Sequence, residues 1–145
     1  MRFLTFTIYA IIMTFSHTSE AQGLNDYQWK NRILLLVDKS SSSEALISQL
    51  EVLNADKKAL KERDLIIFRI TPDEVLTSNG EKTKIGQNEI YKNYNLESNF
   101  KGVILLGKDG GVKMRQPFEV KTQKIFALID GMPMRKREIR ESGED

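Results

Sequence analysis

The sequence predicts an α/β domain in which helices flank a mixed four-stranded sheet, in the order strand, helix, strand, helix, strand, strand, helix. Three observations predict this class. Apolar runs of strand length recur at 33–37, 64–70 and 103–106, segments with helical spacing separate them, and an Asp-Gly turn joins the third run to another short strand. The 145 residues are 40% hydrophobic and 29% charged, which is typical of one globular domain.

The first half of the chain predicts a strand-helix-strand unit. Residues 33–37 (ILLLV) form an uninterrupted apolar run that suits a strand buried on both faces. An amphipathic helix is predicted over 44–63, with a serine as its N-cap and Glu44 near the positive end of its dipole. Residues 64–70 (DLIIFRI) are rich in β-formers and predict the second strand. Strands joined in this way lie parallel.

The second half begins with a segment rich in turn-forming residues, 71–86, which predicts a long loop with room for a short hairpin or a helical turn. A short helix is predicted over 87–96. Residues 122–130 predict the last helix, which a Gly and a Pro end soon afterwards. Residues 135–145 carry no apolar face large enough to dock, so a fraying helix or a disordered tail is expected there.

The hairpin over 100–115 organises the predicted sheet. Asp109-Gly110 between two extended runs is a strong hairpin signal, because both central residues of a type I′ turn need a positive φ. The hairpin adds an antiparallel strand to the parallel pair. The whole order is the minimal thioredoxin-like arrangement.

Residues 1–21 have the pattern of a secretory signal peptide. Arg2 supplies a positive charge, residues 3–15 are apolar, and Ser19-Glu20-Ala21 is a small-x-small cleavage site. The alternative is an uncleaved anchor, although the run is shorter than the roughly 20 helical residues that span a bilayer. We therefore expect export to the periplasm or the medium, a folded domain over 22–134, no transmembrane segment in the mature chain, and a charged tail over 135–145.

The composition excludes several kinds of chemistry. The sequence contains no Cys, and its one His, His17, lies in the predicted leader. A mature chain without thiol or imidazole cannot perform cysteine peroxidase chemistry, use a Ser-His-Asp triad, or hold zinc through His and Cys. No catalytic residue, cofactor or metal is expected. The formal net charge of +2 argues against a dedicated nucleic-acid binder.

The candidate binding loop is the polar run after the first strand. Hydroxyls and backbone N–H groups at a helix start can bind an anion or a peptide, because this end of a helix carries positive partial charge. The alternative is simple capping within a flexible loop. Ligands of open α/β sheets bind outside the carboxyl ends of the strands, which also places the 71–86 loop nearby. The expected partner is an unknown protein or a small anionic ligand. The loop consists of Asp38, Lys39, Ser40, Ser41, Ser42 and Ser43.

A family resemblance rests on four stretches of the chain, YQWKNRILLLV, KERDLIIFRI, GVILLGKDGGVKMR and IFALIDGMPMRKREIR. Over about residues 27–140 the chain resembles a bacterial domain family of unknown function that is also found at the C-terminus of extracellular vertebrate proteins such as equarin and the sushi-repeat-containing proteins. The resemblance implies a thioredoxin-like, peroxiredoxin-like fold and export, and it carries over no established catalytic residue.

The chain departs from redox-active thioredoxin-like enzymes at the decisive place. Those enzymes carry a reactive Cys between the first core strand and its helix, where this chain has residues 38–43, and thioredoxins place a cis-Pro where this chain has none before Val103. Three functions remain open. The first is a binding or structural module without redox cysteines, and the second is a peroxiredoxin-like enzyme that acts by a non-thiol route. The third is association with a membrane surface through an uncleaved N-terminus and the basic tail.

Overall fold

The computed structural model describes residues 23–143, and they form one five-stranded sheet with helices around it. The predicted mixed α/β class is confirmed. The predicted signal peptide, residues 1–21, lies outside the described residues. The strands are β1 (Arg32–Val37), β2 (Leu65–Ile70), β3 (Val75–Thr77), β4 (Gly102–Leu106) and β5 (Val112–Gln116). Their order in the sheet is β3-β2-β1-β4-β5, with β2 parallel to β1 and the other neighbouring pairs antiparallel.

Helices cover both faces of the sheet. A 3-10 turn (Leu24–Tyr27) comes first, followed by α1 (Glu44–Asn54), α2 (Lys57–Glu62), α3 (Gln87–Asn93), α4 (Thr122–Asp130) and α5 (Pro133–Ser142). Apolar side chains of α1, α2 and α4 pack against one face, and those of α3 pack against the other. The layers are therefore helix, sheet and helix.

Strand β1 is the central strand and is buried on both faces. Leu34 and Leu36 belong to the cluster formed with α1 and α4, whereas Ile33, Leu35 and Val37 belong to the cluster on the other face. Successive side chains of a strand point to opposite faces, so a strand covered on both sides needs an unbroken apolar run. This is the physical reason for the sequence ILLLV.

The expectation of four strands is wrong by one. The segment 71–86 contains β3, which pairs with β2 through Ile70 and Val75. A tight turn reverses the chain between them, with the Thr71 N–H donating to the Glu74 carbonyl at 3.0 Å. A strand of three residues is too short to show an alternating pattern, and its pairing depends on the exposed edge of β2.

The single helix predicted over 44–63 is two helices. Ala55 is the C-cap of α1, and the Asp56 carboxylate accepts a hydrogen bond from the Ala59 N–H at 3.0 Å as the N-cap of α2. Asp is a favoured N-cap residue because its carboxylate satisfies an otherwise unpaired donor. The break therefore lies where the sequence supplies a new cap.

The hairpin between β4 and β5 is confirmed, but its turn is not type I′. Among its residues Gly110 has a positive φ of 81°, whereas Asp109 does not. The Gly110 N–H donates to the Gly107 carbonyl at 3.0 Å, and the Gly107 N–H donates to the Gly111 carbonyl at 2.9 Å. The chain therefore makes an ordinary turn followed by one left-handed glycine, a common longer hairpin connection.

The expectation that the charged C-terminal segment would not dock is also wrong. Helix α5 packs back onto the domain, and Arg135 is buried there with its Nη1 donating to the Glu62 carbonyl at 2.9 Å. Charged groups make this contact in place of an apolar face. A search for apolar periodicity therefore could not find it.

Gly102 supplies the first test of the fold. Its φ is 153°, and an added Cβ would collide with the Gln116 carbonyl of the neighbouring strand β5. We expect Gly102→Ala to lower the free energy of unfolding by about 1–3 kcal/mol, since strain of this kind costs that much. Gly86→Ala is the matched control, because its Cβ would meet no atom within 4 Å. Urea unfolding measures the free energy of unfolding of both variants. Equal losses would contradict the close approach of Gly102 to the Gln116 carbonyl.

Candidate functional site

The predicted binding loop lies at the carboxyl ends of the two parallel strands. Asp38 follows β1 directly, and its N–H donates to the carbonyl of Ile70, the last residue of β2, at 3.1 Å. Lys101 comes just before β4, whose first residue pairs with the last residue of β1. The sheet therefore brings Asp38, Lys101 and the start of the 71–86 segment together at one end of its strands. The sequence predicted this proximity for the two loops.

Asp38 is a buried carboxylate whose hydrogen-bond and ion-pair partners come from the loop itself and from Lys101. It is 2% exposed, its Oδ2 accepts from the Ser43 hydroxyl at 2.6 Å, and its Oδ1 accepts from the Lys39 N–H at 2.6 Å. The Lys101 Nζ lies 3.3 Å from the same Oδ1. Burial acts to raise the pKa of Asp38, but these hydrogen bonds and the Lys101 charge outweigh it and hold the pKa below its ordinary value.

The serines are tied together in a similar way. The Ser43 Oγ accepts from the Leu46 N–H at 3.3 Å as the N-cap of α1, while it also donates to Asp38. The Ser40 Oγ accepts from the Ser42 N–H at 3.3 Å and lies 3.2 Å from the Ser42 Oγ. The loop is therefore closed by its own hydrogen bonds.

The six predicted residues divide into two groups. Asp38 and Ser43 hold the loop, and capping accounts for the Ser43 hydroxyl. Lys39, Ser40 and Ser42 are exposed and present one ammonium and two hydroxyls to the outside, with Ser41 half-buried among them. A binding role for these exposed residues stays a prediction.

Sequence reasoning missed Tyr91, which lies near Asp38 at this end of the sheet. Its hydroxyl is buried and has no hydrogen-bond partner within residues 23–143. Burial raises the pKa of Tyr91, and the negative charges of Asp38 and Asp73 raise it further. Helical spacing assigned Tyr91 only to packing, because nothing local in the sequence links it to Asp38.

A groove of about 560 Å³ adjoins the loop along α1. One wall begins with Glu44 and Ala45, directly after the N-cap, and runs to Val52, whose side chain is exposed. The opposite wall is the segment 119–121, which the Gln49 amide holds by donating to the Val120 carbonyl at 2.9 Å and accepting from the Val120 N–H at 2.7 Å. The groove therefore begins directly after the loop, and its lining mixes apolar side chains with charged ones, namely Glu44, Glu119 and Lys121.

The opposite end of β1 carries an ion network around two buried cations, Arg32 and Lys108. The Arg32 guanidinium, 1% exposed, donates from both Nη atoms to the Glu138 carboxylate at 3.1 and 3.2 Å. The Lys108 Nζ lies 2.6 Å from Glu138 and 2.9 Å from Asp64. Burial acts to raise the pKa of Glu138, but Arg32 and Lys108 outweigh it and hold the pKa below its ordinary value.

The network extends along α4 and α5. The Arg63 guanidinium donates to both oxygens of Asp130 at 3.0 and 2.7 Å, and Arg135 lies 3.4 Å from the same carboxylate. Arg32 and Glu138 are 106 residues apart in the sequence. Sequence reasoning missed this network because no local pattern pairs residues at such a separation.

Residues 23–143 contain no group of three or more Cys, His, Asp or Glu side chains placed to hold a metal ion. Nor does any helix in that range have the length and apolar character needed to cross a membrane.

Comparison with known proteins gives one family and one fold. The model of a family described as a domain of unknown function (DUF4174) matches residues 23–138. The reduced 2-Cys peroxiredoxin of Plasmodium vivax superposes with a TM-score of 0.57 and 17% identity, over 79% of this chain and 84% of that one. No curated protein matches in sequence.

Two other solved structures support the same fold. The mitochondrial 2-Cys peroxiredoxin of Plasmodium falciparum gives a TM-score of 0.51 at 17% identity, over 84% of each chain. Thioredoxin peroxidase I of Plasmodium yoelii gives 0.51 at 16% identity, over 84% of this chain and 82% of that one. At these identities the likeness shows the fold alone. It confirms the predicted thioredoxin-like, peroxiredoxin-like fold.

The ion network predicts a pH-dependent contribution to stability. Glu138→Gln leaves Arg32 buried without its counter-charge, so we expect the free energy of unfolding at neutral pH to fall by about 3 kcal/mol. Because folding lowers the pKa of Glu138, this contribution is present at neutral pH and is lost as the pH falls through the folded-state pKa. The difference in the free energy of unfolding between wild type and variant should therefore become smaller in acid.

Urea unfolding at a series of pH values measures this difference. Glu141→Gln, at an exposed position of the same helix, is the matched control and should stay near the wild type at every pH. A difference in the free energy of unfolding that does not change with pH would contradict the predicted contribution of the ion pair.

Proposed function

Since the chain belongs to the DUF4174 family of domains of unknown function, we propose from its fold and its site that it is an exported binding module without thiol redox chemistry. The observation that carries the proposal is the content of the turn between β1 and α1. There Asp38 and Ser43 bind each other, and the sequence contains no Cys. Peroxidatic and dithiol chemistry both need a thiolate, so this chain cannot supply either.

The proposed contact surface is the exposed part of the loop together with the α1 groove. Lys39, Ser40 and Ser42 offer polar groups on a loop that internal hydrogen bonds already order, so binding costs little conformational entropy. In the adjoining groove, Ala45, Val120 and the exposed Val52 offer apolar contacts among charged side chains. This combination suits a polypeptide partner with a polar group next to an apolar side chain.

Export is the second part of the proposal. It is supported by the signal-peptide pattern of residues 1–21 and by the resemblance to the C-terminal domains of equarin and the sushi-repeat-containing proteins, kinship that we also propose. Lack of Cys is compatible with any compartment, so it does not bear on this point. The compartment is the periplasm or the medium.

The binding surface is tested by a triple variant. Lys39→Ala, Ser40→Ala and Ser42→Ala remove exposed groups and leave Asp38 and Ser43 in place. Partners that the wild type captures from the exported fraction should bind this variant at least tenfold more weakly. The control, Lys136→Ala with Arg137→Ala and Glu141→Ala, changes exposed residues of α5 and should bind normally. Unchanged affinity of every partner for the triple variant would sink the proposed surface.

A turnover assay distinguishes the binding module from the alternative, a peroxiredoxin-like enzyme that acts by a non-thiol route. We expect hydrogen peroxide consumption and insulin disulfide reduction by the purified protein to equal the buffer rate. Turnover that disappears in Asp38→Asn would show a non-thiol enzyme at this site and contradict the proposal.

Cleavage of the leader is tested by the intact mass of the protein recovered from the exported fraction. We expect a mature chain that starts at Gln22. A mass that includes residues 1–21, or recovery only from inside the cell, would contradict this part of the proposal.

A further inference from the structure

A second cleft, of about 620 Å³, lies at the end of the sheet opposite the binding loop. One wall comes from the junction of α4 and α5 and is apolar. The other wall comes from the turn of the β4–β5 hairpin and from Lys113. The buried Arg32 and Lys108 also line it, so the cleft combines one apolar wall with a cationic base. The residues of the apolar wall are Ala127, Leu128, Met132, Pro133 and Met134.

Arg32, which lines this cleft, has one donor left over. Its two Nη atoms are taken by Glu138, and Nη1 also donates to the Arg63 carbonyl at 3.0 Å. Its Nε is buried and finds no hydrogen-bond partner in the part of the chain that the structure describes. A buried donor without an acceptor costs about 1–3 kcal/mol, so an acceptor placed there would recover that free energy.

The charges around the base leave an excess of one positive charge. In residues 23–143 four cations of the network share three carboxylates, while Lys113 and Asp109 at the rim neutralise each other. The members of the network are Arg32, Arg63, Lys108, Arg135, Asp64, Asp130 and Glu138. A single negative charge on a ligand would balance it.

The N-terminus of α5 adds to this preference. Its N-cap, Met132, makes no side-chain capping hydrogen bond, and Pro133 and Met134 of the first turn line the cleft. The positive end of a helix dipole with uncapped N–H groups favours an anion. This feature points in the same direction as the unpaired Arg32 Nε.

We propose that this cleft binds an amphipathic monoanion, namely a carboxylic acid with an unbranched apolar tail. The carboxylate lies at the Arg32 and Lys108 end of the cleft, where a small shift of the guanidinium lets it accept from the buried Nε, and the tail lies along the α4–α5 wall. Inorganic anions would gain nothing from the apolar wall, and neutral lipids would leave the excess charge unbalanced. The volume lies within the roughly 300–1,000 Å³ that is usual for small-molecule pockets.

The test is isothermal titration calorimetry of the purified full chain with sodium decanoate, 1-decanol and sodium acetate. We expect decanoate to bind with a stoichiometry of one. Decanol lacks the charge and acetate lacks the tail, so each should bind at least tenfold more weakly. Equal affinity for decanoate and decanol would overturn the anion site, and absence of saturable decanoate binding would overturn the proposal altogether.

Two variants locate the ligand. Ala127→Glu places a carboxylate on the exposed α4 wall and should weaken decanoate binding at least tenfold, whereas Gln123→Glu, exposed on the same helix and outside the cleft, should not. Arg32→Lys keeps the charge but removes the Nε donor, so it should narrow the ratio between decanoate and decanol affinities. Thermal unfolding checks that each variant is folded.

Decanoate affinity that is unchanged in Ala127→Glu would place the ligand elsewhere and overturn the assignment. Because this cleft and the 38–43 loop lie at opposite ends of β1, the loop variants of the proposed function should leave decanoate binding unchanged. Failure of one proposal is therefore distinguishable from failure of the other.

Discussion

The structure depends on the burial of β1 on both faces with a charged residue at each end. Arg32 begins the strand and Asp38 follows it directly, and both are almost inaccessible to water. A buried charge is tolerated only when it is paired and hydrogen-bonded. Each therefore collects partners from distant parts of the chain, Glu138 at one end and Lys101 at the other. The charged groups of this strand lie at its two ends because its middle is buried on both faces and admits none.

At the carboxyl end, the thioredoxin-like scaffold keeps its architecture while its chemistry is different. In thiol enzymes of this fold the helix N-terminus stabilises a thiolate. Here the first-turn donor of α1 is taken by the Ser43 hydroxyl, and that hydroxyl is held in turn by the Asp38 carboxylate. The same position therefore orders a loop. An ordered loop with exposed Lys39, Ser40 and Ser42 is a suitable surface for recognition.

At the other end, one contact produces both the docking of α5 and the cleft. Glu138 engages Arg32 through the two Nη atoms, and this end-on geometry leaves the Nε without a partner. The same ion pair holds α5 so that its first turn, with Pro133 and Met134, lines the same cleft as Arg32. A stabilising interaction has thus created an unsatisfied donor next to an apolar surface, which is the combination that an amphipathic anion requires.

By itself the sequence determined the elements whose burial is local. The run ILLLV specified a strand covered on both faces, helical spacing specified α1, α3 and α4, and the lack of Cys excluded thiol chemistry. Only the tertiary structure decided the pairing of the three-residue β3, the closed hydrogen bonds of the 38–43 loop, and the docking of α5 through Glu138. The reason is physical: periodic apolar patterns record which side of an element is buried, whereas an ion pair between residues 106 positions apart depends on how the whole chain folds.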